Sequence, residues 1–196
     1  MTSMPRVLTV SVCSLLMAFM ALPVSAVPET FQIDPDHSMI LFRVKHARVS
    51  YTYGRFNSPE GTFMIDDANP DGNTFQIQVA TANVYTGNRA RDYHLTSPDF
   101  FNARQFRVIS FQSSSVTQTA DKQYEITGKL SLHGVEKEIK VVLEETGRDE
   151  SRENTLMGFE GKFVIKRSDF GMSGMIGPVG DEVTLIISLE GIHKLT

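Results

Sequence analysis

The stretch Tyr124-Glu125-Ile126-Thr127-Gly128-Lys129-Leu130-Ser131-Leu132 alternates apolar or small residues with polar ones. Side chains of a β-strand point alternately to its two faces, so this period of two predicts a strand with one apolar face. The dipeptide His133-Gly134 follows and indicates a turn. After it Val135, Ile139, Val141 and Leu143 are interleaved with Glu and Lys. The segment therefore predicts two strands joined by a turn.

The same alternation recurs along most of the chain. Residues 69–73, Asn-Pro-Asp-Gly-Asn, give a strong turn signal, and the strands on either side of it are expected to pair as a hairpin. Residues 147–155 are charged and lack periodicity, so they are predicted to form an exposed loop. A further strand begins near residue 106, with either Phe106 and Val108 or Ile109 and Phe111 on its apolar face. The other alternating positions are Phe31, Ile40, Phe42, Val44, Phe63, Ile65, Phe75, Ile77, Val79, Met157, Phe159, Phe163, Ile165, Val183, Leu185, Ile187 and Leu189.

About eight strand-like segments are present, without an internal repeat or a linker between them. This number favours an all-β, eight-stranded antiparallel barrel with short helical insertions, and a β-sandwich is the alternative architecture. An eight-stranded barrel is filled by its own side chains or holds one small ligand. Inward-facing phenylalanines are compatible with both cases, because a packed core and an apolar pocket wall have the same sequence pattern.

Residues 1–26 have the organisation of an export signal. Arg6 is their only charged residue, residues 7–22 form an apolar run, and Val24-Ser25-Ala26 supplies small residues for cleavage. The run is shorter than the usual membrane-spanning length, so we expect cleavage rather than an anchor that spans the membrane. The sequence predicts a single mature domain of residues 27–196.

Charge and cysteine content exclude several classes of function. Loss of Arg6 takes Lys and Arg from 19 to 18 against 23 acidic residues, which changes the formal charge from −4 to −5. This mild acidity argues against nucleic acid or anionic membrane surfaces as partners. The only cysteine, Cys13, lies in the signal, so the mature chain has no thiol for a disulfide, a zinc–thiolate site or a nucleophile.

Residues 86–101 interrupt the alternation and gather basic, acidic, imidazole and aromatic side chains. Asn88 or Thr86 is predicted to cap a short helix that places Arg91 and His94 on one face. Ser97 and Pro98 then begin a second short turn that carries the aromatic residues at 100 and 101. In an otherwise β chain, such a segment is expected to form a plug, a lid or a site.

Residues 167–180 form the second irregular stretch. Glycines and Pro178 suit a surface loop, but Phe170, Met172 and Met175 are costly to leave exposed. Methionine is also well suited to apolar surfaces that accommodate varied ligands. We therefore expect this stretch to act as a lid rather than a plain loop.

Catalytic and metal-binding patterns are weak. The five histidines include no His-x-His pair, and the odd spacing of His37 and His46 would put them on opposite faces of one strand. Asp92 and His94 supply two of the residue types that a hydrolase needs, but the chain has no Gly-x-Ser-x-Gly elbow. The sequence thus favours a chain without catalytic residues or a metal site.

The sequence resembles the YceI family of exported, lipocalin-like proteins along nearly the whole mature chain. Ser131 stands where the family usually has Thr, which is a mild change. The resemblance rests on the order and spacing of Asp36-His37-Ser38, the strand with Ile40, Phe42, Val44 and His46, Gly54-Arg55-Phe56, Thr86-Gly87-Asn88, Arg91-Asp92, His94-Leu95, residues 97–101, residues 128–134, Gly158-Phe159, residues 167–171 and Asp181-Glu182-Val183.

The resemblance implies an eight-stranded lipocalin-like barrel around an apolar channel for an isoprenoid chain, such as a quinone tail or a polyprenyl phosphate. It implies no cofactor, metal or catalytic residue. Arg91, Asp92 and His94 are the candidates for polar groups at the channel mouth, and an Arg suits a phosphate or quinone oxygen. The apolar channel is expected to be lined by Ile40, Phe42, Val44, Phe75, Val79, Phe100, Phe101, Phe111, Phe163, Phe170, Met172, Met175 and Leu185.

The expected function is that of a periplasmic carrier or scavenger of isoprenoid lipid or quinone, with a membrane cytochrome or a second copy as a conceivable protein partner. Three alternatives remain open. They are an enzyme acting on a lipid or ester through His94 and Asp92, a general amphiphile-binding stress protein, and a barrel that serves only protein contacts.

Overall fold

The computed structural model describes residues 27–195, so the predicted signal in residues 1–26 lies outside the described part. Within it the chain forms eleven strands, one α-helix and three short 3-10 turns. Helix α1 spans Arg89–Leu95. The strands are β1 (Glu29–Ile33), β2 (Met39–His46), β3 (Ser50–Phe56), β4 (Glu60–Ile65), β5 (Thr74–Ala80), β6 (Val84–Tyr85), β7 (Val108–Ala120), β8 (Gln123–Leu132), β9 (Val135–Glu150), β10 (Asn154–Lys166) and β11 (Val179–Lys194).

Eight strands close a ring in the order β1, β4, β5, β7, β8, β9, β10 and β11, and antiparallel pairing of β11 with β1 completes it. The other three strands extend the wall at one end, where β11 pairs with β2, β2 with β3, and β3 with β6. Strands β1 and β2 therefore act as one bent strand, as do β3 with β4 and β5 with β6. The predicted eight-stranded antiparallel barrel with short helical insertions is confirmed. We call the end with the β2–β3 turn (residues 47–49) the upper end and the end with the β4–β5 turn (residues 66–73) the lower end.

Strand β8 shows the burial that its alternation predicts. Tyr124, Ile126, Gly128, Leu130 and Leu132 are buried, and the residues between them are more exposed. The turn at His133-Gly134 has positive φ at both residues, 54° and 75°, which matches the twist of a two-residue hairpin. Strands β8 and β9 pair directly on either side of that turn.

The charged segment 147–155 is not the loop that its composition predicts. Strand β9 continues to Glu150 and β10 begins at Asn154, so only residues 151–153 connect them. Pairing with the neighbouring strands satisfies the backbone hydrogen bonds of this segment. Its charged side chains form ion pairs outside the barrel, so the strands form here without an apolar alternation. Arg148 illustrates this, since it contacts Glu29 and lies 3.1 Å from Glu150.

The start of β7 resolves the alternative that the sequence left open. The strand begins at Val108, which is 48% exposed. Ile109 and Phe111 face the barrel interior. Val108 pairs with Ala80 at the upper limit of the β5–β7 ladder.

Helix α1 and the turns after it connect β6 to β7 at the upper end. The side chain of Asn88 caps the helix, because its Oδ1 accepts a hydrogen bond from the Arg91 N–H at 3.1 Å. Ser97 caps the following turn through a 3.3 Å bond from the Asp99 N–H. Strand β6 pairs with β3, whereas β7 pairs with β5 and β8. Because β6 and β7 do not pair with each other, the insertion that connects them covers the part of the wall between these two strands.

Aromatic side chains fill the lower part of the barrel. The rings of Phe31 and Phe63 stack at 4.9 Å, and those of Phe63 and Phe75 at 5.5 Å. Phe159 meets Phe63 and Phe75 edge-on at 5.2 and 5.3 Å. Offset-stacked and edge-on contacts are the favourable geometries for aromatic rings. All four rings are almost completely buried, so this phenylalanine stack closes the lower end.

Candidate functional site

An apolar cavity of about 140 Å³ lies in the barrel above the phenylalanine stack. Phe75 and Leu143 line its lower part and also belong to the packed core. At the opposite limit it is lined by Val44 and Val179, beside the pairing of Val179 with His46 at the upper end. The phenylalanine stack therefore closes the cavity at the bottom, and from this we infer that its mouth faces the upper end.

The cavity wall is apolar apart from three residues, Gln78, Ser110 and Arg167. Gln78 and Ser110 pair with each other across the β5–β7 ladder, each between two inward-facing apolar neighbours. Arg167 is the one charged residue among the described lining residues. The apolar lining consists of Ile40, Phe42, Val44, Phe56, Phe75, Ile77, Val79, Leu95, Phe100, Phe101, Ile109, Phe111, Ile126, Leu130, Leu132, Ile139, Val141, Leu143, Phe163, Ile165, Met172, Val179, Val183, Leu185 and Ile187.

All but two of the residues predicted for the channel line this cavity. Phe170 and Met175 lie outside its lining. Phe170 falls in a 3-10 turn, where the strand alternation that turns Phe163 inward has ended, and it is buried beside Leu130 instead. Met175 is 50% exposed on the loop before β11. Ligand contact by the residues that do line the cavity stays a prediction.

One wall of the cavity depends on a missing side chain. A Cβ at Gly54 on β3 would lie 2.3 Å from the Phe42 ring and 2.8 Å from Thr86 Cγ2. Glycine lets the ring lie close against the neighbouring backbone. The ring of Phe42 then packs against that of Phe56, with 5.8 Å between the ring centroids. The ring of Phe101, from the insertion, meets that of Phe56 edge-on, with 5.3 Å between the centroids. The insertion thereby completes the wall.

Arg167 places a buried guanidinium at the upper end of the cavity, with only 4% of its surface exposed. Its Nη1 donates to the carbonyl oxygens of Met172 and Gly174, both at 2.7 Å. Its Nε donates to Gly180 O at 2.9 Å, and its Nη2 donates to Val179 O at 3.1 Å. These four bonds hold the loop of residues 172–180 around the guanidinium.

The positive charge of Arg167 is met mainly by carbonyl dipoles. Burial lowers the pKa of Arg167, and the charge of Asp181 opposes that shift. Asp181 accepts bonds from the Ser168 N–H at 2.9 Å and Oγ at 2.8 Å, which hold the pKa of its carboxyl below the usual range. A guanidinium has five N–H groups, so the four bonds to carbonyls leave one Nη2 N–H for a further acceptor.

The predicted polar residues at the mouth bond within the insertion and do not line the cavity. Arg91 donates to Thr86 Oγ1 at 2.8 Å and to Thr86 O at 2.9 Å, and Asp92 accepts from the Thr86 N–H at 2.8 Å. His94 Nε2 lies 3.1 Å from Asp99 Oδ2 rather than beside Asp92. The structure therefore does not bring His94 and Asp92 together as an acid–base pair.

Asp34, His37 and Glu190 meet outside the barrel, near the bend between β1 and β2. His37 Nδ1 lies 2.8 Å from Asp34 Oδ2 and 3.8 Å from Glu190 Oε1. The hydrogen bond between His37 and Asp34 raises the pKa of His37 and lowers that of Asp34. One ligand atom from each of the three residues lies within 4.8 Å of the others. An ion pair between exposed His37 and its partly buried acidic partners explains this group, and the expectation that the chain binds no metal stays a prediction.

Arg167 is a site residue that the sequence pattern did not predict. A usable signal existed, because positions 163 and 165 face inward on β10 and residue 167 is the next position in that register. The charge of Arg167 and its place in an irregular stretch argued for exposure. Its burial is possible because the carbonyl oxygens of a loop that folds back over it accept hydrogen bonds from the guanidinium, which offsets the cost of removing the charge from water.

A closed antiparallel barrel with a blind apolar cavity is the architecture of proteins that enclose an apolar small molecule. The sequence matches the YceI-like domain over residues 31–191, and the chain belongs to that family. A UPF0312 protein of Pseudomonas aeruginosa (strain LESB58) is 36% identical to it over 172 residues. The match covers 86% of this chain and 90% of the relative.

Solved structures show the same fold. The crystal structure of a Campylobacter jejuni YceI protein has a TM-score of 0.70 and 28% sequence identity, covering 77% of this chain and 90% of that one. A polyisoprenoid-binding domain from Saccharophagus degradans, implicated in plant cell wall breakdown, has a TM-score of 0.65 and 16% identity. It covers 84% of this chain and 98% of its own.

Within residues 27–195, no helix combines the length and the apolar character needed to cross a bilayer.

Proposed function

We propose that the chain is an exported carrier or scavenger that encloses one isoprenoid lipid in its barrel, rather than an enzyme. The observation that carries this proposal is the blind cavity, whose lining is apolar except for Gln78, Ser110 and Arg167. Burial of hydrocarbon contributes about 0.8 kcal/mol per carbon unit, and so up to about 4 kcal/mol per isoprene unit before ordering costs are subtracted. An apolar chain is the ligand class that such a wall favours.

A structural neighbour supports an isoprenoid over other apolar ligands. The Saccharophagus degradans domain with this fold is described as polyisoprenoid-binding. A branched chain also suits the wall, since many lining side chains are themselves branched or aromatic and present an irregular surface. An unbranched fatty acyl chain is the competing ligand that the experiment below must separate from it.

The head group is proposed to lie at the mouth, near Arg167. An apolar tail that enters first reaches the phenylalanine stack, which leaves the polar end beside the guanidinium. Arg167 has one Nη2 N–H beyond the four that bind the loop carbonyls. A quinone carbonyl or a phosphate oxygen can accept that bond. An isoprenoid quinone and a polyprenyl phosphate therefore both fit the proposal.

Export completes the proposed role. The pattern of residues 1–26 favours cleavage, which would leave residues 27–196 as the lipid-binding domain in the periplasm. A carrier there has to receive its lipid from a membrane or from a membrane protein. A membrane cytochrome that uses quinone, or a second copy of the chain, is a partner compatible with this role.

The experiment is native mass spectrometry of the mature protein, followed by identification of the released lipid. We expect one bound isoprenoid per chain. Ile165→Trp should abolish that bound mass because Ile165 lines the cavity, whereas Val164→Trp should preserve it because the adjacent Val164 faces solvent with 56% of its surface exposed. A protein that carries no lipid and binds no added isoprenoid would refute the proposal. A mixture of fatty acids would instead favour the general amphiphile-binding alternative.

A further inference from the structure

The fold separates the charges of an acidic chain. Residues 39–59, which span the β2–β3 hairpin, contain Arg43, Lys45, Arg48 and Arg55 and no acidic residue. Since residues 27–195 carry −5 in total and this segment carries +4, the rest of them carries −9. The turn at residues 66–73, at the lower end, contains three aspartates and no basic residue. The basic hairpin thus lies at the upper end, beside the mouth of the cavity.

Exposed apolar side chains occupy the tips of two turns at the same end. Val49 is 83% exposed, Met175 50% and Ile176 49%. The two turns are neighbours, because the Ala47 N–H donates to Pro178 O at 2.7 Å. We call Val49, Met175 and Ile176 the apolar tip. Clustered exposed apolar side chains mark surfaces that contact another molecule.

Tyrosines lie among the basic residues of the hairpin. Tyr51 and Tyr53 point outward from β3 and are 46% and 56% exposed. The guanidinium of Arg43 and the amine of Lys45 lie 4.6 and 4.4 Å from the centre of the Tyr51 ring. Tyrosine has an apolar ring and a polar hydroxyl, which suit the boundary between lipid head groups and water. Lysine and arginine are attracted to the head groups of anionic lipids.

The apolar tip and the basic hairpin border the cavity mouth. Val44 of β2 and Val179 of β11 line the cavity, and the two turns that carry the apolar tip begin within a few residues of them. A surface that contacts the tip would therefore also face the mouth. The net negative charge of the whole chain argues against an anionic membrane surface as its partner. The fold, however, places the basic hairpin at the mouth of the cavity.

We propose that the apolar tip and the basic β2–β3 hairpin form a docking surface for an anionic lipid bilayer. Val49, Met175 and Ile176 insert among the head groups, and the basic side chains of the hairpin contact the lipid phosphates. The cavity mouth then faces the bilayer, so a lipid tail can pass between bilayer and barrel. The use of this surface for lipid exchange rests on the proposed function, whereas docking itself requires no bound cargo.

The test measures co-sedimentation of the mature protein with vesicles. The vesicles contain either phosphatidylglycerol and phosphatidylcholine in equal amounts or phosphatidylcholine alone. We expect binding to the anionic vesicles to exceed binding to the neutral ones and to weaken as sodium chloride is added. The double variant Val49→Asp, Ile176→Asp should lower vesicle affinity about tenfold, because it replaces inserted apolar groups by charges repelled by the lipid. Lys45→Glu should lower binding to the anionic vesicles alone.

Val142→Asp is the matched control, because Val142 is 43% exposed on β9 and lies on the outer wall of the barrel. It should leave binding unchanged, and the thermal unfolding of each variant shows that it is folded. Equal binding to both vesicle types, or an equal loss in Val142→Asp, would overturn the docking proposal. So would self-association through the apolar tip without vesicle binding. Isoprenoid binding without vesicle binding refutes docking alone, and vesicle binding without isoprenoid binding refutes the proposed function alone.

Discussion

Nη1 of Arg167 donates a hydrogen bond to the carbonyl oxygen of Met172 at 2.7 Å, and both residues line the cavity. The bond ties the end of β10 to the loop that leads to β11. Gly171, between them in the chain, has φ of 76°, a conformation that glycine adopts without strain and that turns the chain back. Arg167 therefore acts both as a wall of the cavity and as the anchor of the loop beside its mouth.

Substitution of Arg167 is expected to loosen that loop. Arg167→Met should lower the free energy of unfolding by about 2–4 kcal/mol, since loop carbonyls lose their donors. Arg167→Lys should fall between this variant and the parent, because it keeps the charge without the planar fork. Denaturant-induced unfolding measures both. Arg104→Met, at an exposed arginine, is the control, and an equally small change in all three variants would contradict the anchoring role.

The floor of the cavity is expected to limit ligand length. Phe75→Leu should lower the free energy of unfolding by about 1–2 kcal/mol and shift the preferred isoprenoid toward a longer chain, because Phe75 lines the cavity. Phe31→Leu should cost a similar amount without changing that preference, since Phe31 lies in the same stack but not in the lining. Binding of an isoprenoid alcohol series to both variants is the measurement. The same length shift in Phe31→Leu would show that the floor lies elsewhere.

The pair of Asp34 and His37 predicts a pH dependence of stability. Because the pKa of His37 is raised in the folded state, His37 adds to the free energy of unfolding. This stabilisation is fully present below the unfolded pKa of 6.5 and is lost as pH rises through the folded pKa. Because the pKa of Asp34 is lowered in the folded state, Asp34 also stabilises the fold. This stabilisation is fully present above the unfolded pKa of 3.8 and is lost as pH falls through the folded pKa. The pair thus stabilises most between these limits.

Asp34→Asn checks this prediction. The titration of the His37 ring, followed by NMR, should move to lower pH in the variant, because the bond to the Asp34 carboxylate is the largest cause of the shift. A His37 titration that does not move would show that the pair is not formed in solution.

The polar candidates of the insertion show why a site is harder to predict than a fold. Arg91, Asp92 and His94 are close in sequence and chemically suited to a head group, but their bonds go to Thr86 and Asp99. These bonds tie the seven-residue helix to the chain just before and after it, within the insertion. The phenylalanines of the same insertion do line the cavity, because apolar groups there gain by leaving water.

The sequence by itself determined most of the strands and most of the cavity wall, since period-two alternation is a local property that fixes which side chains share a face. It also limited the helix cap to Thr86 or Asn88, of which the structure uses Asn88, and it located the turn at His133-Gly134, because short-range geometry decides both features. Tertiary structure alone decided which residues meet across distant strands. Only closure of the barrel buries Arg167 under its own loop, brings Glu190 to His37, and collects the basic hairpin at the mouth of an acidic chain. Those outcomes depend on which strands are neighbours in the barrel and on the end of the barrel at which each turn lies. A local sequence pattern contains neither kind of information.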